Sequence, residues 1–145
     1  MTAASSEPTI QLAVDCTDPH ALVRFWAPAL DMEIEDHADQ IEQLLAAGAV
    51  TEDDITEIDG RRAFVTAAAC RRPGGPVPRL LFQRVPEDKT VKNRWHLDLH
   101  YPPEERDAQV ERFEALGARR LWDASEGPHS WTTMADPEGN EFCVG

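Results

Sequence analysis

No stretch of this chain approaches the roughly 20 consecutive apolar residues that a membrane-spanning helix requires. Its opening residues lack the basic-then-apolar order of a secretory signal, so residues 1–8 read as a frayed polar tail. Cysteine is sparse. Cys16, Cys70 and Cys143 are odd in number, far apart and free of any CxxC pair, which excludes a disulfide framework and predicts a reducing cytoplasm. Positive charge is scarce as well: 14 Lys and Arg stand against 27 Asp and Glu, for a formal net charge of −13. Nucleic acid and anionic membrane surfaces would repel such a chain, so neither is expected as a partner. An acidic ligand would need a local basic patch. Arg71-Arg72 beside Gly74-Gly75 lacks the helix and lysine of a phosphate loop, and that reading is set aside.

What is present is ordinary for a globular protein. Hydrophobic residues make up 41% and charged residues 28% of 145 positions, enough for one domain with a real core. Residues 9–16 alternate Ile10, Leu12 and Val14 with Gln11, Ala13 and Asp15, the period of a half-buried strand. Asp18 then stands as a helix cap with Pro19 at the first helical position. Leu22, Val23, Phe25, Trp26, Ala29 and Leu30 follow at helical spacing, with Pro28 placed to kink or end the helix. A short strand is expected over 32–35 and a helix over 39–47, closed by Gly48. Asp59-Gly60 predicts a type I′ hairpin between strands at 55–58 and 61–69. A Pro/Gly loop at 72–78 precedes a strand at 79–85.

The order then begins again. Residues 93–101 alternate strongly, Pro102-Pro103 stops the strand, and 104–116 form an amphipathic helix closed by Gly117. Strands are expected over 118–122, 129–135 and 140–144, the last two joined by a turn at Asp136-Pro137-Glu138-Gly139. The repeat is one of order, not identity, and leaves open how the strands pair.

The run Asp136-Pro137-Glu138-Gly139-Asn140-Glu141-Phe142-Cys143-Val144 resembles the turn and last strand of glyoxalase-like proteins of the vicinal oxygen chelate superfamily. Asn93-Arg94-Trp95-His96-Leu97-Asp98-Leu99 resembles the opening of the second half, and Leu81-Phe82-Gln83-Arg84-Val85 the close of the first. The resemblance implies an α+β fold: two βαβββ half-modules forming a curled mixed-sheet cup with helices on the outside. Half-module one would span about 9–86, with an inserted helical segment about 37–60, and half-module two about 93–145, in a single domain. Trp95, Leu97, Leu99 and Tyr101 would then face the helix, leaving His96, Asp98 and His100 towards the cup. Ile10, Leu12 and Val14 would likewise pack outward. Trp26 reads as core, while Trp122 fits either core or cup.

Catalytic members of that superfamily hold a divalent metal with first-strand and last-strand side chains. Carried over by motif, the first-strand positions fall on Gln11 and His96, and the last-strand positions on Gln83, or Leu81 if the register shifts, and on Cys143. The usual carboxylates are missing from both last strands. Glu141 would supply one if the final strand bulges. The set Gln11, His96 and Cys143 suits zinc better than an oxygen-seeking ion, and a cup that has lost its metal is the competing reading.

His96, Asp98 and His100 are also the strongest candidates for acid–base chemistry, against the plainer reading of a wetted polar sheet face. Gln11, Gln83, Trp131 and His129 are candidate ligand contacts, with Trp131 equally suited to core. Cys143, between Phe142 and Val144, makes a poor nucleophile. Two functions follow: a lyase, isomerase or dioxygenase acting on a small molecule, or a metal-free module that sequesters an antibiotic or metabolite. Relatives often dimerise, so a homodimer is expected from the resemblance alone.

Overall fold

Alternation and helical spacing organise the chain twice over, and the wiring is the same each time. The computed structural model describes residues 7–145; of the tail expected over 1–8, the first six residues lie outside them. The first half runs β1 (Gln11–Cys16), α1 (Pro19–Ala29), β2 (Glu33–Ile34), α2 (Ala38–Ala46), β3 (Ile55–Ile58), β4 (Arg61–Phe64), β5 (Ala67–Arg71) and β6 (Arg79–Arg84). The second runs β7 (Asp98–Leu99), α3 (Arg106–Leu116), β8 (Arg119–Glu126), β9 (His129–Ala135) and β10 (Glu141–Val144). Each half builds a four-stranded sheet, in the orders β1-β6-β5-β2 and β7-β10-β9-β8. In both, the first strand lies parallel to the last and the other pairs are antiparallel. With α2, β3 and β4 set aside as an insertion, each half is βαβββ, and neither mixed sheet closes into a barrel.

The helices cover the outer faces. Asp18 caps α1 by accepting from the amides of His20 and Ala21, and Pro19 needs no partner at the first position. Pro28 falls in the last turn, so the helix ends soon after it without breaking. The buried stripe of α1 packs with Cys70, Leu80 and Phe82, while Val110 and Phe113 of α3 pack with Phe142. Trp26 and Phe113 both meet Phe142 edge-on, at 5.0 and 5.8 Å between ring centres, so one core runs through both halves.

Asp136 locks that junction. Its fully buried carboxylate accepts from Trp26 Nε1 at 3.0 Å, from Asn140 Nδ2 at 2.9 Å, and from the amides of Glu138 and Asn140. Glu138, in the same turn, accepts from the amides of Thr17 and Asp18 at the start of α1.

Three expectations need correction. The strand expected over 61–69 is two strands in different sheets. The Val65 amide turns back to Asp54 O and closes the β3–β4 hairpin, after which Ala67 begins the pairing with β6. The β3–β4 hairpin therefore ends at Phe64. Its turn has the expected form, with positive φ at Asp59 and Gly60, and it docks on α1 through Arg24–Asp59 at 3.1 Å.

The strand expected over 93–101 is the second correction. Only Asp98–Leu99 is regular strand, although bonds from Cys143 N to Leu97 O and from Tyr101 N to Gly145 O hold a longer stretch against β10. The preceding residues are drawn off the ladder because Asn93 brackets Glu141. The Asn93 amide and Nδ2 donate to Glu141 Oε2 and O, and Asn93 Oδ1 accepts from the Glu141 amide. Inward–outward alternation holds only where the ladder does, so Leu97, Leu99 and Tyr101 pack against the core while Trp95 is 89% exposed. Ile10 is the third: it precedes β1 and is exposed, whereas Leu12 and Val14 pack as expected.

Candidate functional site

The inner face of the second sheet is set by register. Asp98 lies opposite Cys143, Cys143 opposite Thr133, and Thr133 opposite Trp122, so one row crosses the sheet from β7 to β8. His96 and His100 flank Asp98 on the same face, and Glu141 flanks Cys143. A concave cavity of about 690 Å³ opens over this face, with Trp122 and Trp131 in its wall and His129 and Arg106 in its lining.

His96 Nδ1 and Asp98 Oδ1 are 2.9 Å apart, so two residues on one strand face do meet. Donor atoms of His96, Asp98 and Cys143 all lie within 4.8 Å of one another. Cys143 Sγ is 3.5 Å from Thr133 Oγ1. Burial pushes the Cys143 thiol up and the nearby Asp98 charge adds to this, while Thr133 opposes it. The thiol is thus protonated at neutral pH, a poor nucleophile on its own. Glu141 reaches this face without a bulge; the irregularity in the sheet is on β8, between Arg120 and Trp122. Burial alone would raise its carboxyl, but the Asn93 amide and Lys89, 3.1 Å away, hold it below the ordinary range.

The structure separates other candidates from this group. Gln11 accepts from Arg79 Nη1 at 2.7 Å, and Arg79 Nε also donates to Glu35 at 2.5 Å. Gln83 lies opposite Asp15 and Ala67 and is exposed. Both therefore sit on the inner face of the first sheet, outside the cavity that holds His96 and Cys143. The expected Gln11–His96–Cys143 set is not brought together; Asp98 takes the third place. A second cavity of about 460 Å³ lies between the halves, bordered by Ala13 and Asp15 on one side and His96 and Trp95 on the other. His100, His129 and Trp131 line the first cavity, and Trp122, 48% exposed, joins them.

Sequence reasoning missed Arg106, Lys92 and Thr133, which also line it. Thr133 could have been found from its place two residues past Trp131 on a predicted strand. Arg106 could not, because it reaches the cavity from the first turn of α3.

A concave sheet with an aromatic wall and a cluster of donor atoms forms a cup on a duplicated βαβββ frame. The chain belongs to the glyoxalase-like domain family, whose model matches residues 11–145, and so to the vicinal oxygen chelate superfamily. No functionally curated sequence matches it. Among solved structures it is similar to the fosfomycin resistance protein FosX from Mesorhizobium loti, at 12% identity and a TM-score of 0.61, over 96% of this chain and 90% of that one. FosX from Listeria monocytogenes, complexed with Mn(II) and 1S,2S-dihydroxypropylphosphonic acid, matches at 13% identity and 0.57, over 99% and 89%. The bleomycin-binding protein of Streptomyces verticillus, complexed with copper(II)-bleomycin, matches at 15% and 0.52, over 97% and 96%. At such identities these likenesses establish the fold and leave activity open.

Proposed function

We propose that this protein binds a small organic molecule in the cup of its second half, with Trp122 and Trp131 gripping the ligand beside His96, Asp98 and Cys143. The observation that carries this reading is the cavity of about 690 Å³, a size suited to a metabolite or a small drug, lined by His96, Asp98 and Cys143, whose donor atoms lie within 4.8 Å of one another. Small-molecule binding by the fosfomycin and bleomycin proteins supports it.

The superfamily implies a divalent metal, and the donor chemistry can be tested for fit. A hard ion such as the Mn(II) of the Listeria protein calls for oxygen donors, and a thiol stands at the last-strand position here. Zinc accepts nitrogen, oxygen and sulfur together, with donors about 3.3–3.8 Å apart around a tetrahedral centre, so the present cluster needs only modest closing. His96, Asp98 and Cys143 would hold it, and when bound it would polarise a ligand oxygen. His100 lies on the same face, placed to pass a proton to or from such a ligand. Lyase or isomerase chemistry belongs to this zinc-loaded form, whereas dioxygenase chemistry would need a redox-active ion in its place. The raised Cys143 thiol favours a second reading, in which the metal-free cup sequesters an antibiotic or metabolite.

Calorimetric zinc titration separates the two. One site per chain, weakened at least about tenfold by Cys143→Ser or His96→Ala, is expected for the metal-dependent form. Absence of zinc uptake leaves sequestration. Absence of any tryptophan-fluorescence response across a panel of oxygenated metabolites and antibiotics would sink both. A cytoplasmic setting, supported by the three free cysteines, and a homodimer, supported by the open outer edges of β1 and β7, complete the proposal.

A further inference from the structure

The second-half cup presents an arginine to its hollow although the chain as a whole is acidic. We infer that its ligand is a flat, largely apolar anion whose carboxylate or similar oxyanion is received by Arg106; this deepens the reading of the cup as a small-molecule site and rests on it. The chain has a formal charge of −13, and six of its thirteen other cations are paired with close carboxylates. Arg24, Arg79 and Arg120 meet Asp59, Glu35 and Glu114 at 3.1, 2.5 and 3.3 Å. Arg106 is different. Its Nη1 donates to the neutral hydroxyl of Ser130 at 2.6 Å, and its recorded carboxylate partner, Asp107, is 3.6 Å from Nε and 82% exposed. Its side chain is partly buried, 25% exposed, and lines the cavity. A cation held in a concave, partly desolvated place by a neutral partner retains donors for an incoming oxyanion, and arginine offers them in a planar fork.

The two acids in the lining are engaged elsewhere. Asp98 meets His96, and Glu141 meets Lys89. They also lie away from Arg106. Ser130, which Arg106 reaches, is three residues along β9 from Thr133 in the Asp98 row, roughly 10 Å by the strand rise; the odd step turns its side chain to the other face, so it meets Arg106 at the rim of the cavity. Trp131 stands between, and Trp122, Pro103 and Pro128 add apolar wall. A ligand spanning this distance would lay an apolar body on the tryptophans, put its anionic end on Arg106 and turn its other end towards His96, Asp98 and Cys143.

Matched probes test this. 2-Naphthoate and 2-naphthamide share a ring system and differ in charge. Calorimetry on the full chain should show the acid binding about tenfold or more tightly than the amide. Arg106→Gln should bring the two within about twofold, Arg106→Lys should keep part of the preference, and Trp131→Ala should weaken both alike. If Arg106→Gln does not fold, Ser130→Ala, which frees the guanidinium from its rest, should still reduce the preference. Equal binding of the two probes to the wild type overturns the inference and leaves the cup reading intact, as does a preference that survives Arg106→Gln. Failure of both probes to bind at millimolar concentration overturns this inference, while the cup reading falls only if the metabolite and antibiotic panel also gives no response.

Discussion

Asp136 shows how much one side chain can hold. Four donors converge on a carboxylate that is 2% exposed, and removing it would leave Trp26 Nε1 and two turn amides without partners in the core. Asp136→Ala should cost about 3 kcal/mol or more, read as a lower urea midpoint with an unchanged slope. Cys16 and Cys70 make a prediction of another kind. Burial lifts both thiols to about 12, chiefly by desolvating the thiolate. A raised folded value means the contribution to stability is complete below the unfolded value near 9 and is lost as pH climbs towards 12. Cys70→Ala should therefore flatten the fall of stability with pH in that window, by about one proton's worth of slope, and leave the profile near neutrality unchanged.

Among the elements, α1 and β7 show what the amino-acid pattern could and could not convey. The cap, first-turn proline and apolar stripe of α1 are local features, and the helix forms where they point. Asp18→Ala should cost about 1 kcal/mol in thermal or urea unfolding, since two first-turn amides lose their acceptor. The alternation over 93–101 was just as regular, yet its first half left the sheet, because Asn93 and Glu141, 48 residues apart in sequence, captured each other. Long-range capture by side chains leaves no local trace. The same reason hid Arg106, whose value depends on where α3 starts relative to β9. The inward set on β7, by contrast, was legible, since it follows from strand period and from the DPEGNEF turn that fixes β10. Gln11 and His96 hold equivalent places by order in the two halves, yet line no common cavity within this chain, which order alone could not convey.

For the whole molecule, tryptophan is a convenient reporter, since its four residues occupy three environments. Trp26 is buried, Trp122 and Trp131 line the cup, and Trp95 stands out at 89% exposure. Acrylamide should quench Trp95 most readily, and Trp95→Phe should remove the most red-shifted emission while leaving the response to a cup ligand unchanged. If a second copy covers the open edges, the Trp95 emission will shift to the blue as protein concentration rises. A constant spectrum from nanomolar to tens of micromolar would count against that assembly.

The identical strand order of the two sheets carries a last implication. Two units folded by one plan have reached opposite electrostatic endings: on the first, Arg79 is closed off by Glu35 and Gln11, while on the second, Arg106 is left facing a hollow. If the second half is the ligand site, the first, with its cation already closed off, is left to serve as scaffold.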